Sequence, residues 1–153
     1  MTFASVMPPE WVLKAILKQG GAFKASHEFR DEGQKERYFF VANRSPASDE
    51  LIVLLTPTTQ IDKRRRHHRE RADLVLVAVG PSDYVDIARP SVIDCESPIR
   101  WPRATFEAQA LAGKYKPLPA LPTAIFVRIL AAISESRTLS LMEKRLILEP
   151  DTA

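Results

Sequence analysis

The chain has 153 residues and a mass of 17.2 kDa, the length of one domain. Its 45% hydrophobic and 27% charged residues supply the apolar material for a buried core and exclude global disorder. No run approaches the roughly 18 apolar residues of a membrane span. The net charge of +3 sits in one place. Residues 1–60 carry seven basic and seven acidic side chains, residues 81–153 carry nine of each, and residues 61–80 carry six basic against three acidic. A local cluster on an otherwise neutral chain points to one polyanionic contact surface, not to a generally basic face. Met1 to Met7 has no basic start followed by an apolar stretch, so no signal peptide is expected. The single Cys95 leaves no internal disulfide and no cysteine-rich zinc site, which fits a reducing cytoplasm.

In chain order, Pro8-Pro9 opens a first helix over residues 9–19, because proline is tolerated where the N–H has no helical partner. Trp11, Leu13, Ile16 and Leu17 repeat at helical spacing until Gly20-Gly21 stops them. Residues 22–29 read as a strand, and residues 30–36, polar around Gly33, as a turn or exposed loop. Tyr38 to Ala42 and the apolar run Leu51 to Leu55 flank the polar turn Asn43 to Asp49, a hairpin signal. Leu74 to Val79 reads as a strand ended by Gly80-Pro81. Ser91 to Cys95 and Ile99 to Trp101 are shorter strand candidates.

After Pro102 the pattern becomes helical. A short helix covers 104–112 and closes at Gly113. A proline-rich connector follows over 114–122. Thr123 is placed to cap a helix with the apolar stripe Ile125, Phe126, Ile129, Leu130 and Ile133. A last helix covers about 139–148. Strands that follow one another without intervening helices argue for an antiparallel sheet or small barrel in an α+β domain. The expected organisation is a single domain over 1–153. Its β core spans 21–101 with a basic loop at 61–72, and its helical part spans 102–153.

No Gly-rich phosphate loop, GxSxG or HExxH occurs. His67 and His68 are adjacent and point apart, so they are expected in the solvated basic loop and not at a metal. Cys95 reads as a small buried hydrophobe. The run Lys63 to Arg71 is open to three readings: a solvated charged face, a phosphate clamp built on the planar arginine fork, or a surface for an acidic protein. Arg37 lies at the rim of an apolar strand, and Thr56, Thr58 and Thr59 follow another. Those threonines satisfy a turn, or with the rim cation they form a polar cluster able to hold a phosphodiester.

The stretch Arg37-Tyr38-Phe39-Phe40-Val41-Ala42-Asn43-Arg44-Ser45-Pro46, the strand 51–55 and Thr56-Pro57-Thr58-Thr59-Gln60 resemble the central hairpin of the MazF/PemK-type toxins. Gly21-Ala22-Phe23, the segment Ser91 to Ile99 and the helix Ala120 to Ile133 resemble further parts of that family. The resemblance spans about residues 21–135. It implies an SH3-like antiparallel barrel with a C-terminal helix, to which this chain would add an N-terminal helix and a further C-terminal one, and a homodimer neutralised by an antitoxin protein. It also implies cleavage of single-stranded RNA without a metal or other cofactor, leaving a cyclic phosphate and a 5′-hydroxyl. Carried over, Arg37, Thr58 and Glu96 stand at the catalytic positions; beside them the basic run, read as a phosphate clamp, would guide the RNA with Gln60, Lys63, Arg64, Arg65, Arg66 and Arg69. Two positions depart from the pattern. Tyr38 replaces a usual proline, and Asp94 stands where some members have arginine. The helix at 9–19, the arginine-rich segment and the last helix exceed a typical member. A non-catalytic nucleic-acid- or protein-binding module on the same barrel is the alternative. A gyrase poison of the same fold would carry a tryptophan in its tail, and Leu146 to Ala153 has none.

Overall fold

A computed structural model describes residues 7–29, 33–84 and 86–148. Residues 1–6, most of the stretch expected to lack a signal peptide, residues 30–32 of the expected turn, residue 85 and residues 149–153 of the tail lie outside these. Helix α1 (Pro9–Ile16) starts with proline in its first turn and buries Val12 and Ile16, one helical turn apart, against the sheet. It ends three residues earlier than the spacing predicts. At Gly21 the chain passes so close to the helix end that a Cβ would lie 2.0 Å from the Ile16 carbonyl oxygen.

Strands β1 (Ala22–Phe29) and β2 (Gly33–Val41) pair antiparallel along their whole length, from Ala22 opposite Phe40 to Phe29 opposite Gly33. Residues 33–36, expected in a loop, therefore belong to a strand. Cross-strand pairing overrides their weak local preference. β3 (Leu51–Leu55) joins β2 on its other side, with Phe40 opposite Leu55 and Val41 opposite Leu54. β7 (Ile99–Pro102) pairs with β3. β8 (Lys116–Leu118), formed within the supposed connector, pairs with β1. The five-stranded order is β7-β3-β2-β1-β8. A second sheet holds β4 (Pro57–Thr58), β6 (Ser91–Asp94) and β5 (Leu76–Val79) in the order β4-β6-β5.

The small closed barrel is thus corrected to two separately hydrogen-bonded antiparallel sheets. The chain passes between them at Thr56-Pro57, where proline has no N–H to continue the first ladder. Strand alternation sorts the core onto two faces. Phe40, Ala42, Val53 and Leu55 point toward Val77, Val79 and Ile93 of the second sheet and toward Ile125, Phe126, Ile129 and Ile133 of helix α5 (Thr123–Glu135). Phe23, Phe39, Val41, Ile52 and Leu54 point the other way. They are covered by Val12 and Ile16 of α1 and by Phe106 and Ala110 of α4 (Arg103–Leu111).

The segment expected as a basic loop is helix α2 (Ile61–His68). A 3-10 turn (Arg69–Arg71) and the short helix α3 (Ala72–Val75) follow it, so the strand expected from Leu74 starts only at Leu76. Thr123 is not a cap, since Pro122 holds that position and makes no side-chain cap bond. The last helix, α6 (Leu141–Leu148), carries a capping box. The Glu143 N–H donates to Ser140 Oγ at 3.1 Å, and the Ser140 N–H donates to Glu143 Oε1 at 2.9 Å, which satisfies two otherwise orphaned donors. Among the described residues no helix is long and apolar enough to cross a membrane.

Candidate functional site: a strand crossing beside an ionic cluster

Arg37 lies on β2 and Thr58 on β4, strands of different sheets. The β2–β3 ladder ends with Phe40 opposite Leu55, three residues from Arg37 on one strand and three from Thr58 on the other. At that point the chain leaves the first sheet and pairs instead with β6, Thr58 facing Val92. Arg37 still has a strand neighbour on its other side, facing Ala25. It shares its face with Phe39 and Val41, as alternation requires. Both residues are half-buried. The Thr58 hydroxyl accepts the Gln60 N–H at 3.2 Å. This bond tightens the turn into α2 and leaves the hydroxyl a donor and a further lone pair. Gln60 is exposed at the N-cap of α2 and makes no side-chain cap bond.

Glu96 lies elsewhere. It follows the far end of β6, four residues beyond Val92, on the order of 10 Å from Thr58 at strand rise. Its carboxylate accepts Arg71 Nη2 at 2.7 Å and the Arg137 N–H at 2.9 Å, both on Oε1. Its other oxygen is 3.5 Å from His68 Nδ1. Burial works to raise the Glu96 carboxyl, but the Arg137 N–H and the Arg71 guanidinium outweigh it and hold the group below its usual range. A carboxylate held this way is a weaker proton acceptor at neutral pH.

Asp94 is buried beside it, accepts three hydrogen bonds and meets one further cation. His68 Nε2 donates at 2.8 Å, the Glu96 N–H at 3.0 Å and Ser97 Oγ at 3.3 Å. Arg64 Nε lies 3.0 Å away as an ion-pair contact without the alignment of a hydrogen bond. The cluster ties three elements together. Arg64 and His68 come from α2, and Arg71 from the turn after it. Asp94 and Glu96 come from the end of β6. The end of α5 contributes the Glu135 carbonyl, which also accepts Arg71 Nη2 at 2.7 Å. His68, expected in solvent, is buried instead. Helix spacing explains this correction. Arg64 and His68 fall at i and i+4, one face of α2, with Arg71 in the turn beyond, while Asp94 and Glu96 fall two apart where β6 ends. That pairing of spacings was the available signal, and the reading of the basic run as a uniform solvated segment missed it.

Of the other residues expected to guide RNA, Arg65 pairs with Asp73 at 2.8 Å. Lys63, Arg66 and Arg69 are exposed, and no carboxylate among the described residues pairs with them. Cys95 is buried, and burial pushes its thiol well above the ordinary range, with Asp94 and Glu96 adding to the rise. It is the inert small hydrophobe that the sequence suggests.

Among solved structures the chain is similar to the MazE–MazF complex of Deinococcus radiodurans, at 11% identity and a TM-score of 0.49, over 78% of this chain and 94% of that one. It is also similar to an endoribonuclease in complex with its cognate antitoxin from a mycobacterial species, at 13% identity and a TM-score of 0.49, over 80% and 96%. Likeness at this level lies in the course of the chain and says nothing of the side chains. No protein-family model and no curated protein matches the sequence.

Proposed function

We propose that the protein is an endoribonuclease of the toxin type, cutting single-stranded RNA without a metal at a phosphodiester held between Arg37 and Thr58. The observation that supports the reading is that Arg37 and Thr58, both half-buried, each lie three residues from the last β2–β3 pair, Phe40 opposite Leu55. Such a placement offers a guanidinium and a hydroxyl with spare bonding capacity on either side of the β3–β4 crossing. In the reaction the RNA 2′-oxygen forms a bond to phosphorus while the bond to the 5′-oxygen breaks. The 2′-hydroxyl proton passes to solvent and the leaving oxygen gains one, giving a cyclic phosphate and a 5′-hydroxyl. Arg37 offers two parallel N–H groups to the phosphoryl oxygens as their charge grows, which stabilises the transition state more than the ground state. The Thr58 hydroxyl hydrogen-bonds the same phosphate and fixes its approach. Glu96 enters as a positioning residue that orders the segment after β6. The hairpin resemblance adds to this reading an antitoxin partner and a homodimer in the cytoplasm.

The binding-module alternative has one observation on its side, since the carboxylate expected as general base is engaged by Arg71 and Arg137. The deciding experiment incubates purified protein with a long single-stranded RNA in EDTA and maps the ends. Discrete cuts bearing cyclic phosphates, lost in Arg37→Ala and strongly reduced in Thr58→Val, are expected. Intact RNA, from folded protein freed of any co-purified partner, overturns the reading in favour of the binding module.

A further inference from the structure

Helix α2 and the turn after it sort their basic side chains by face. Arg64 and His68, with Arg71 just beyond, turn inward and are consumed by Asp94 and Glu96. Lys63, Arg66 and Arg69 turn outward at three-residue intervals and are exposed. Arg65 is matched by Asp73, and the three outward cations, set against the exposed Asp62 and Glu70, leave the outer surface one positive charge in excess. Along the helix axis the outward row is about 9 Å long, room for two or three neighbouring phosphates. It begins a few residues after Thr58.

Arg69 closes the helix. Its φ is +55° and its ψ −124°, a conformation that suits glycine and strains a residue with a Cβ. Its N–H donates to the Arg65 carbonyl and its carbonyl accepts the Ala72 N–H, which hold the turn while the side chain stays exposed.

We propose that this outward row is a backbone-binding arm for single-stranded RNA, gripping phosphates beyond the one that is cut, while the inward set clamps the arm to β6. The proposal rests on the reading of Arg37 and Thr58 as a phosphodiester site. RNA is favoured over an acidic protein because the exposed surface of α2 holds no large apolar side chain. Stable protein interfaces are built around apolar or aromatic anchors, whereas polyelectrolyte binding needs only charge and released counterions.

The test uses the full chain and a fluorescent single-stranded RNA whose 2′-hydroxyls are methylated, so that it binds and is not cut. Affinity is measured from 0.05 to about 0.5 M salt. Each neutralised phosphate contact contributes a log–log slope of about 0.7 on a single strand. The Lys63→Gln/Arg66→Gln/Arg69→Gln variant therefore loses about two units of slope. With affinities converging near 1 M, it binds about a hundredfold more weakly at 0.1 M. Arg65→Gln, already neutralised by Asp73, keeps the wild-type slope. A triple variant that melts like the wild type and keeps its slope overturns the arm, as does RNA binding that is salt-independent throughout. Loss of an acidic protein ligand with an unchanged RNA slope also overturns it. Cleavage is scored separately on unmodified RNA. Slope loss without any cleavage by wild-type protein sinks the nuclease reading and leaves the arm; cleavage with an unchanged slope does the reverse.

Discussion

Replacing Asp94 by asparagine tests whether α2 is held by charge. Asparagine keeps the shape and one acceptor oxygen but removes the negative charge facing Arg64 and His68. Removing one member of a buried ion pair costs roughly 3–5 kcal/mol. Here the Arg64 side chain is 25% exposed while that of Asp94 is 6% exposed, so the orphaned guanidinium recovers part of its hydration. The expected loss is therefore about 2–3 kcal/mol. For a chain of this size each kcal/mol lowers the melting temperature by about 2–4 °C, and the transition should drop by about 5–10 °C at pH 7, followed by circular dichroism. The control is Asp73→Asn, which breaks a pair whose carboxylate is 84% exposed. Exposed pairs contribute little, and the melting temperature should stay within about 1 °C. Trypsin should also cut the Lys63–Arg69 segment faster in Asp94→Asn, because α2 has little apolar surface to keep it docked. If Asp94→Asn melts within about 2 °C of the wild type, or Asp73→Asn falls as far, charge is not what anchors the helix.

Three further expectations follow from named contacts. Gly21→Ala puts a Cβ 2.0 Å from the Ile16 carbonyl oxygen and 2.7 Å from its carbon. Backbone atoms cannot yield, so the end of α1 must lift and part of the Val12 and Ile16 burial is lost. About 3 kcal/mol is expected, read as a melting temperature about 6–12 °C lower, and an unchanged melt would show that the helix end shifts freely. Ser140→Ala removes one half of the α6 capping box and should cost about 1 kcal/mol, a shift of about 2–4 °C by the same melt. The third concerns pH. Glu143, held down chiefly by its hydrogen bond from Arg100, and Glu96 both have carboxyls below their usual range. Groups depressed in the folded state contribute stability that is fully present above the ordinary carboxylate value of about 4.3 and is lost as pH falls through the lower folded values. The melting temperature should fall steeply below about pH 4, and Glu143→Gln should flatten that fall. A Glu143→Gln profile parallel to the wild type would remove that residue from the acid transition.

Much of the element inventory was legible in the residues. Leu51 to Leu55 could only be a buried strand, and the α5 stripe from Ile125 to Ile133 could only be a packed helix. Lys116 to Leu118 illustrates the opposite case. A Lys-Pro-Leu step has no strand signal of its own and is extended because the free edge of β1 accepts it. The candidate site divides the same way. Arg37 and Thr58 stand out as a rim cation and a strand-end hydroxyl. Glu96 looked equally available until Arg71 and Arg137 were seen to engage it.

By itself the sequence determined an antiparallel α+β domain, a buried and inert Cys95, and one basic segment carrying the whole charge excess. Each of these depends on composition or short-range periodicity, which burial and backbone geometry translate directly into structure. The tertiary structure alone decided three things. The strands form two sheets, because the ladder breaks at Thr56-Pro57. The basic segment is a helix with two faces. Two of its six cations, Arg64 and Arg71, face inward with His68, because Asp94 and Glu96, more than twenty residues away in the chain, come to lie beneath them. Such pairings join positions distant in sequence, and no local pattern encodes the partner of a charge.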